Sequence, residues 1–287
     1  MISVNAKEYM NRNLLVSIVI PAYNEEKVVK NLLVSIKQQS YPKIEVIVID
    51  DSSTDGTFQV ARGFTSRVFT RKHAERSVQR NFGARKAKGK YLLFLDADME
   101  LSKSVVKECV EAIENDKNVG AIVIPEISVA TNFWEEVKGF ERSFYNLQGD
   151  SQIDAARFFR RDAFIKADGY DESLTRPEDW DLPETIRGLG FEIARVKPLI
   201  YHHERIASPF KVARKKYYYA LKSHRYLKKH KISTLSSKTV YFLRPVFYKN
   251  WKRLISHPLL SLAMVFMLTL ELLYGGVGFS VGKFVKK

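Results

Sequence analysis

The sequence predicts an α/β fold, a mostly parallel sheet with helices packed on both faces. Two observations carry that prediction. Over the first 125 residues, short apolar runs alternate with amphipathic helical stretches, the pattern of strands joined by crossover helices. Polar clusters then follow three of those runs: Tyr23-Asn24-Glu25, Asp50-Asp51-Ser52-Ser53 and Asp96-Ala97-Asp98. In open α/β sheets, ligands bind outside the carboxyl ends of the strands, so the three clusters mark one predicted ligand edge.

Taken in order, VSIVIP (16–21) is the first strand, and EEKVVKNLLVSIKQQ places Val29, Leu32, Leu33 and Ile36 on one helical stripe. IEVIVID (44–50) is the second strand, followed by a short helix that Thr54 or Asp55 can cap. RVFT (67–70) is a third strand, and an Arg-rich helix runs from it to Gly89. YLLFLD is the fourth, Ser102 can cap KSVVKECVEAIE, and AIVIP (121–125) is the fifth. EIARVKPLIYHH reads as a later strand ending in His202 and His203.

At 287 residues, one large domain plus an appendage is expected. The single Cys109 excludes an internal disulfide framework and a cysteine-based zinc site. MISVNAKEYMNRNLL lacks the apolar core of a signal peptide. The expected division is an α/β domain over 1–205, a basic, aromatic interfacial helical region over 206–257, and a transmembrane helix with a short tail over 258–287.

The C-terminal third carries the unusual chemistry. Leu259–Val281 is 23 residues with Glu271 as its one charge, and as a helix it would reach roughly 35 Å, enough to cross a bilayer. Glu271 is expected to face a partner helix or a headgroup cavity. Gly278 and Gly282 form a GxxxG spacing that reads as ordinary glycine usage in membrane helices. The net charge of +15 is localised, with 15 Lys and Arg and no acidic residue between Arg205 and Leu270. Basic and aromatic residues interleave there, as in an interfacial region drawn to anionic headgroups. Such stretches also bind nucleic acid, but the adjoining apolar segment favours a membrane, and no nucleic-acid partner is expected. The longer basic stretch favours its own side, and the α/β domain, facing the cytoplasm of a single-pass cell-membrane protein.

YLLFLDADME (91–100) places two carboxylates at the mouth of an apolar strand. In an extended chain Asp96 and Asp98 project together; like charges so close raise one another's pKa or call for a cation between them, and oxygen ligands suit Mg²⁺ or Mn²⁺, while the same pair also reads as a solvated strand-to-loop turn. No glycine-rich phosphate loop follows any strand. A phosphorylated ligand therefore needs a metal and basic side chains, for which Arg71, Arg76, Arg80 and Arg85 are candidates, Arg76 and Arg80 on one helical face.

Four separated segments, IVIPAYNEE, VIVIDDSSTDGT, ERSVQRNFGARKAKGKYLLFLDAD and FFRRDAFIKADGYDESLTRPEDWDL, together resemble the family-two inverting glycosyltransferases with a GT-A fold, over roughly residues 14–205. The resemblance implies a nucleotide-sugar site with Pro21, Tyr23, Glu25 and Asp51 around the base and ribose. It implies Arg80 near the donor phosphates or sugar, and Asp96 and Asp98 holding the cation on the donor diphosphate. Apart from the resemblance, one of His202 and His203 can face the diphosphate or metal, His203 being the candidate ligand. Inverting transfer needs a carboxylate to take the acceptor proton, and the E-D pair gives Asp179 as base with Glu178 beside it. Without the resemblance the same acidic residues read as a helix start. Arg161, Trp180 and Arg225 are assigned to acceptor or phosphate contacts. KSHRYL (222–227) resembles the Q-x-x-R-W signature of processive relatives such as cellulose synthases, but Lys222 and Tyr226 replace the Gln and Trp, so processivity is not expected.

The expected reaction transfers a sugar from a GDP- or UDP-linked donor to a polyprenyl- or dolichyl-phosphate-type lipid at the membrane, with mannose from GDP-mannose ahead of UDP-glucose. A receiver-like signalling module remains an alternative, but it leaves Glu178-Asp179 without a role.

Overall fold

The computed structural model describes residues 14–147, 149, 154–175, 177–237 and 239–284. The N-terminal stretch, Arg176 of the fourth motif, and Lys286 and Lys287 of the tail lie outside the described residues. The chain divides into two compact units that interleave in sequence: 1–126, 155–172 and 178–202 form the first, and 127–154, 173–177 and 203–287 the second.

The first unit is built on a seven-stranded sheet in the order β3-β2-β1-β4-β8-β6-β9. Its strands are β1 (Val16–Ala22), β2 (Ile44–Asp50), β3 (Val68–Thr70), β4 (Tyr91–Phe94), β6 (Val119–Val123), β8 (Ala156–Arg160) and β9 (Glu192–Arg195). β1 lies between β2 and β4, parallel to both. Every residue of β1 and β4 is buried, which is why they read as unbroken apolar runs. Alternation along the strands feeds two cores, one per face. Ile18, Ile20 and Leu93 pack with Val29 and Leu32 of α1 (Val29–Lys37) and Val105 and Cys109 of α4 (Val105–Asn115). Val19, Ile49, Leu92 and Phe94 pack with Ala84 of α3 (Arg76–Lys86), Phe164 of α6 (Arg161–Lys166) and Leu182 and Ile186 of α7 (Glu178–Gly188). Gly83 lets α3 lie close, since a Cβ there would strike Val19.

Three local expectations change. α2 (Thr57–Arg62) has Gly56 at its N-cap without a side-chain cap bond; the Asp55 carboxylate instead accepts from Thr57 N at 3.0 Å. Ser102 does not cap α4; Ser104 holds that position, and the Ser102 hydroxyl accepts from Leu199 N at 3.0 Å. The late strand is two, β9 and β10 (Ile200–His203), and β10 pairs antiparallel with the short β5 (Met99–Leu101). The greatest departure is β8, which runs antiparallel between β4 and β6.

The second unit begins within β7 (Glu126–Val129) and holds α5 (Phe133–Ser143), α8 (Pro209–Lys229), a 3₁₀ turn at Tyr241–Leu243, α9 (Pro245–Lys249), α10 (Trp251–Ser256) and α11 (Pro258–Phe284). Asn132 caps α5, accepting from Trp134 N at 3.0 Å and Glu135 N at 3.1 Å. Ser208 caps α8, with Pro209 in its first turn. The core joins Val137 and Phe140 of α5, and Phe144 just after it, to Met264, Met267 and Leu268 of α11.

α11 is long and apolar enough to cross a membrane, yet two of its faces are occupied. Glu271 is buried against Lys138 Nζ of α5 at 2.9 Å, and the same ammonium meets Glu141 at 2.8 Å. Gly278 and Gly282 press against the Tyr217 and Leu221 carbonyls of α8, so the GxxxG spacing is an intramolecular helix contact rather than incidental glycine usage. Gly278→Val is accordingly expected to lower stability in detergent by about 1–3 kcal/mol, the range for forced overpacking. Gly276→Ala, at a position with nothing within 4 Å, should leave the thermal melt unchanged. Equal melts for the two variants would contradict the contact.

Candidate active site

The carboxyl ends of β1, β2 and β4 meet as one polar rim. Asn24 has φ 53° and Ser52 φ 61°, left-handed turns that Asn tolerates well. Asn24 N donates to Ser53 Oγ at 3.0 Å, its Oδ1 accepts from Thr54 N at 2.9 Å, and Glu25 N donates to Thr57 Oγ1 at 2.7 Å. The loops after β1 and β2 are thereby tied together. Pro21 is buried within β1 opposite Ile49, whereas Tyr23 is exposed.

Asp51 is buried at this rim. Its carboxylate accepts from Ala74 N at 3.0 Å and from Gln79 Nε2, and lies 2.7 Å from His73 Nδ1. The His73 ring rests 4.8 Å from that of Tyr23. Burial pushes the Asp51 carboxyl up, against the Ala74 bond and the His73 charge. A buried acceptor beside two exposed rings suits a flat heteroaromatic ring carrying N–H donors. His73 and Gln79 were not singled out from the sequence; nothing in the local pattern separates them from surface residues.

The centre of the site is Arg80, 0% exposed. Its guanidinium donates to Asp96 Oδ1 at 2.8 Å and Asp179 Oδ1 at 2.5 Å, above the Tyr170 ring at 5.2 Å. Arg76, one turn earlier on α3, reaches Asp96 Oδ2 at 3.3 Å, and Arg157 approaches the same oxygen at 3.6 Å. Burial raises the Asp96 carboxyl, but the three guanidiniums outweigh it and hold the group well below the usual range. Arg71 and Arg85 instead lie over Phe82, at 4.4 and 6.0 Å from its centroid.

Extended-strand alternation does not govern Asp96 and Asp98. β4 ends at Phe94 and residues 97–98 turn. Asp96 faces the arginines, while Asp98 Oδ1 lies 3.5 Å from His202 Nε2. Glu126 Oε2 sits 3.1 Å from His202 Nδ1, an orienting carboxylate behind the ring. His203, next along β10, projects to the opposite side. Among the described residues, no group of three or more His, Cys, Asp or Glu is arranged to hold a metal.

Glu178 and Asp179 open α7, where the helix dipole favours negative charge. Their surroundings split them. Burial, then Asp179, pushes Glu178 up to about 7, and its buried Oε2 has no hydrogen-bond partner. Burial also raises Asp179, but Arg80, Arg157 and Arg76 outweigh it and keep the carboxyl below its ordinary value. Trp180 is half-buried on the same first turn.

One expected contact lies elsewhere. Arg161 N bonds Lys90 O at 3.0 Å, and Arg160 is registered with Tyr91, so Arg161 stands at the amino end of β4, away from Asp96. Arg157, at the other end of antiparallel β8, occupies the rim instead. Arg225 belongs to the second unit, on α8, and donates to Ser173 O at 3.1 Å.

The sheet and this rim define a GT-A type α/β protein. The chain belongs to glycosyl transferase family 2, whose family model matches residues 17–167. It is 35% identical over 130 residues to an uncharacterized glycosyltransferase, YfnE, of Bacillus subtilis, covering 43% of this chain and 31% of that one. It is 31% identical over 106 residues to the poly(ribitol-phosphate) beta-N-acetylglucosaminyltransferase TarS of Staphylococcus aureus, 34% of this chain and 18% of that one. The chain therefore matches a third or less of these relatives' lengths. Among solved structures, a mannosyltransferase of Pyrobaculum calidifontis in complex with GDP-Man and Mn²⁺ shares the fold at 16% identity and TM-score 0.64, over 96% of this chain and 88% of that one.

Proposed function

We propose that this protein is an inverting glycosyltransferase that moves a hexose from a nucleoside diphosphate to a lipid-linked phosphate or glycan at a cell membrane, with the α/β unit on the cytoplasmic side. The observation that supports it most is the buried Arg80 guanidinium, which joins Asp96 on the donor rim to Asp179 at the start of α7. One cation thus links the place where a diphosphate would leave to the carboxylate that would take a proton.

In this reading Asp51, Tyr23 and His73 hold the base, with Pro21 and Glu25 lining base and ribose. Asp96 orients Arg76, Arg80 and Arg157 toward the donor phosphates. The acceptor oxygen bonds to the anomeric carbon as the bond from that carbon to the phosphate oxygen breaks. The electron pair leaves on the nucleoside diphosphate; where the acceptor is a glycan hydroxyl, its proton passes to Asp179. Asp179 suits the base role better than Glu178 because it is half-buried whereas Glu178 is buried. A divalent cation fits the donor set: Asp98 and His202 would hold Mn²⁺ or Mg²⁺, with Glu126 fixing the imidazole. When bound, it supplies charge neutralisation at the departing diphosphate.

We propose GDP-mannose as donor, and a thermal-shift panel tests the choice. A ligand that binds only the folded protein at about 100 times its Kd stabilises it by about 2.7 kcal/mol. GDP with Mn²⁺ is expected to raise the melting temperature more than UDP with Mn²⁺, and either more than nucleotide with chelator. A larger shift with UDP would replace the donor, and no shift with any nucleotide would remove the donor site.

A further inference from the structure

α11 has the length of a membrane span, but its neighbours in the second unit are unsuited to hydrocarbon. α8 runs beside it in the same direction: the Phe210 and Phe266 rings are 6.5 Å apart, Lys216 lies against Gly275, Tyr217 against Gly278 and Leu221 against Gly282. Residues 210–221 of α8 thus track residues 266–282 of α11. Along that length and one residue beyond, α8 carries Lys211, Arg214, Lys215, Lys216 and Lys222. On another side, Glu271 enters the buried Lys138–Glu141 ion pair of α5. Sending α11 across a bilayer would carry this cationic helix and ion cluster into the apolar interior, where charged groups are strongly disfavoured.

The remaining side of α11 is apolar and open. Leu259, Leu262, Phe266, Leu273, Val277 and Phe284 are exposed and recur at spacings of 3, 4 and 7 residues, one helical stripe. Trp251 and Ile255 of α10 are exposed just before it. Lys249, Lys252, Lys211 and Lys215 are also exposed, and no acidic residue occurs between Arg205 and Leu270. An apolar stripe with an unopposed basic collar complements the surface of an anionic bilayer.

We infer that α10 and α11 lie flat in one leaflet of an anionic membrane, their apolar stripe sunk among the acyl chains, in place of a single-pass span. This concerns attachment alone and is tested without reference to sugar transfer. Ser256→Cys and Lys283→Cys mark the two ends at exposed positions, and the native Cys109 is fully buried. The purified full chain is added to preformed vesicles of phosphatidylcholine with or without phosphatidylglycerol, then treated with a membrane-impermeant maleimide. Binding is expected to be about tenfold or more tighter with phosphatidylglycerol, and both cysteines should label in intact vesicles. Protection of one end until detergent opens the vesicles overturns the flat orientation. Failure to bind anionic vesicles, with a dimer in sedimentation, overturns the lipid partner in favour of a second copy. The Leu262→Glu/Leu273→Glu double variant should lose most vesicle binding, and unchanged binding by it also overturns the inference. If it does not fold, the two labelled ends decide.

Discussion

Asp179→Asn is expected to lower the sugar-transfer rate by about 10²–10⁴-fold, the contribution of a positioned general base, while leaving nucleotide binding within a few-fold. The substitution keeps shape and one hydrogen-bond oxygen for Arg80 but removes the basic electron pair. Glu178→Gln separates the two carboxylates. Burial and the neighbouring Asp179 push Glu178 up to about 7, above the 4.5 of a free glutamate. An acid whose folded-state value is raised holds its proton more tightly folded than unfolded, so the penalty is absent below about pH 4.5, grows toward pH 7 and is complete above it. Glu178→Gln should therefore stabilise the protein above pH 7, by up to roughly 3 kcal/mol, and have no stability effect near pH 4. It should reduce the rate modestly and remove any inflection near pH 7 from the rate profile. Near-normal transfer by Asp179→Asn together with abolished transfer by Glu178→Gln would exchange the two assignments.

How much of this was legible in the sequence follows from what each signal encodes. β1, β2 and β4 are buried on both faces or nearly so, and burial writes itself as apolar runs; their carboxyl ends were readable for the same reason. Strand direction leaves no such trace. Phe158 and Phe159 are as buried as any residue of β4, but nothing in FFRR says that β8 runs antiparallel. Arg161 was assigned to an acceptor or phosphate contact, but the reversal of β8 brings its amino end, with Arg157, to the rim instead. The sequence left open which of His202 and His203 is functional, because the side a strand residue faces depends on register, and one residue of slip exchanges the faces. α11 is the long apolar helix the sequence leads one to expect, and only its partners were hidden. Average hydropathy sums over all faces, so it cannot register that Glu271 is neutralised by Lys138 across 133 residues of sequence, nor that Gly278 meets the α8 backbone.

Arg80→Met is expected to destabilise the α/β unit by about 3–5 kcal/mol, the loss seen when one partner of a buried ion pair is removed and the other is left uncompensated. Met fills much of the volume, so the effect isolates charge from cavity. The wild-type arrangement gives the pH dependence its sign. Arginines hold Asp96 and Asp179 below the ordinary 3.8, so their contribution is present above that value and is lost as pH falls through the lower folded-state values. Without Arg80, both carboxylates keep the burial that raises them and lose their nearest cation, and the folded protein then favours their protonated forms. The deficit of Arg80→Met should therefore be greatest at neutral pH and shrink toward pH 4. Arg80→Lys should recover only part of the loss, because one ammonium cannot reproduce a planar fork that meets Asp96 and Asp179 through different nitrogens. In a double-mutant cycle, adding Asp179→Asn to Arg80→Met should cost less than the single changes summed, since the second removes a charge the first has stranded. A deficit equal at every pH, or strictly additive, would assign the loss to packing over Tyr170 and leave Arg80 without its electrostatic role.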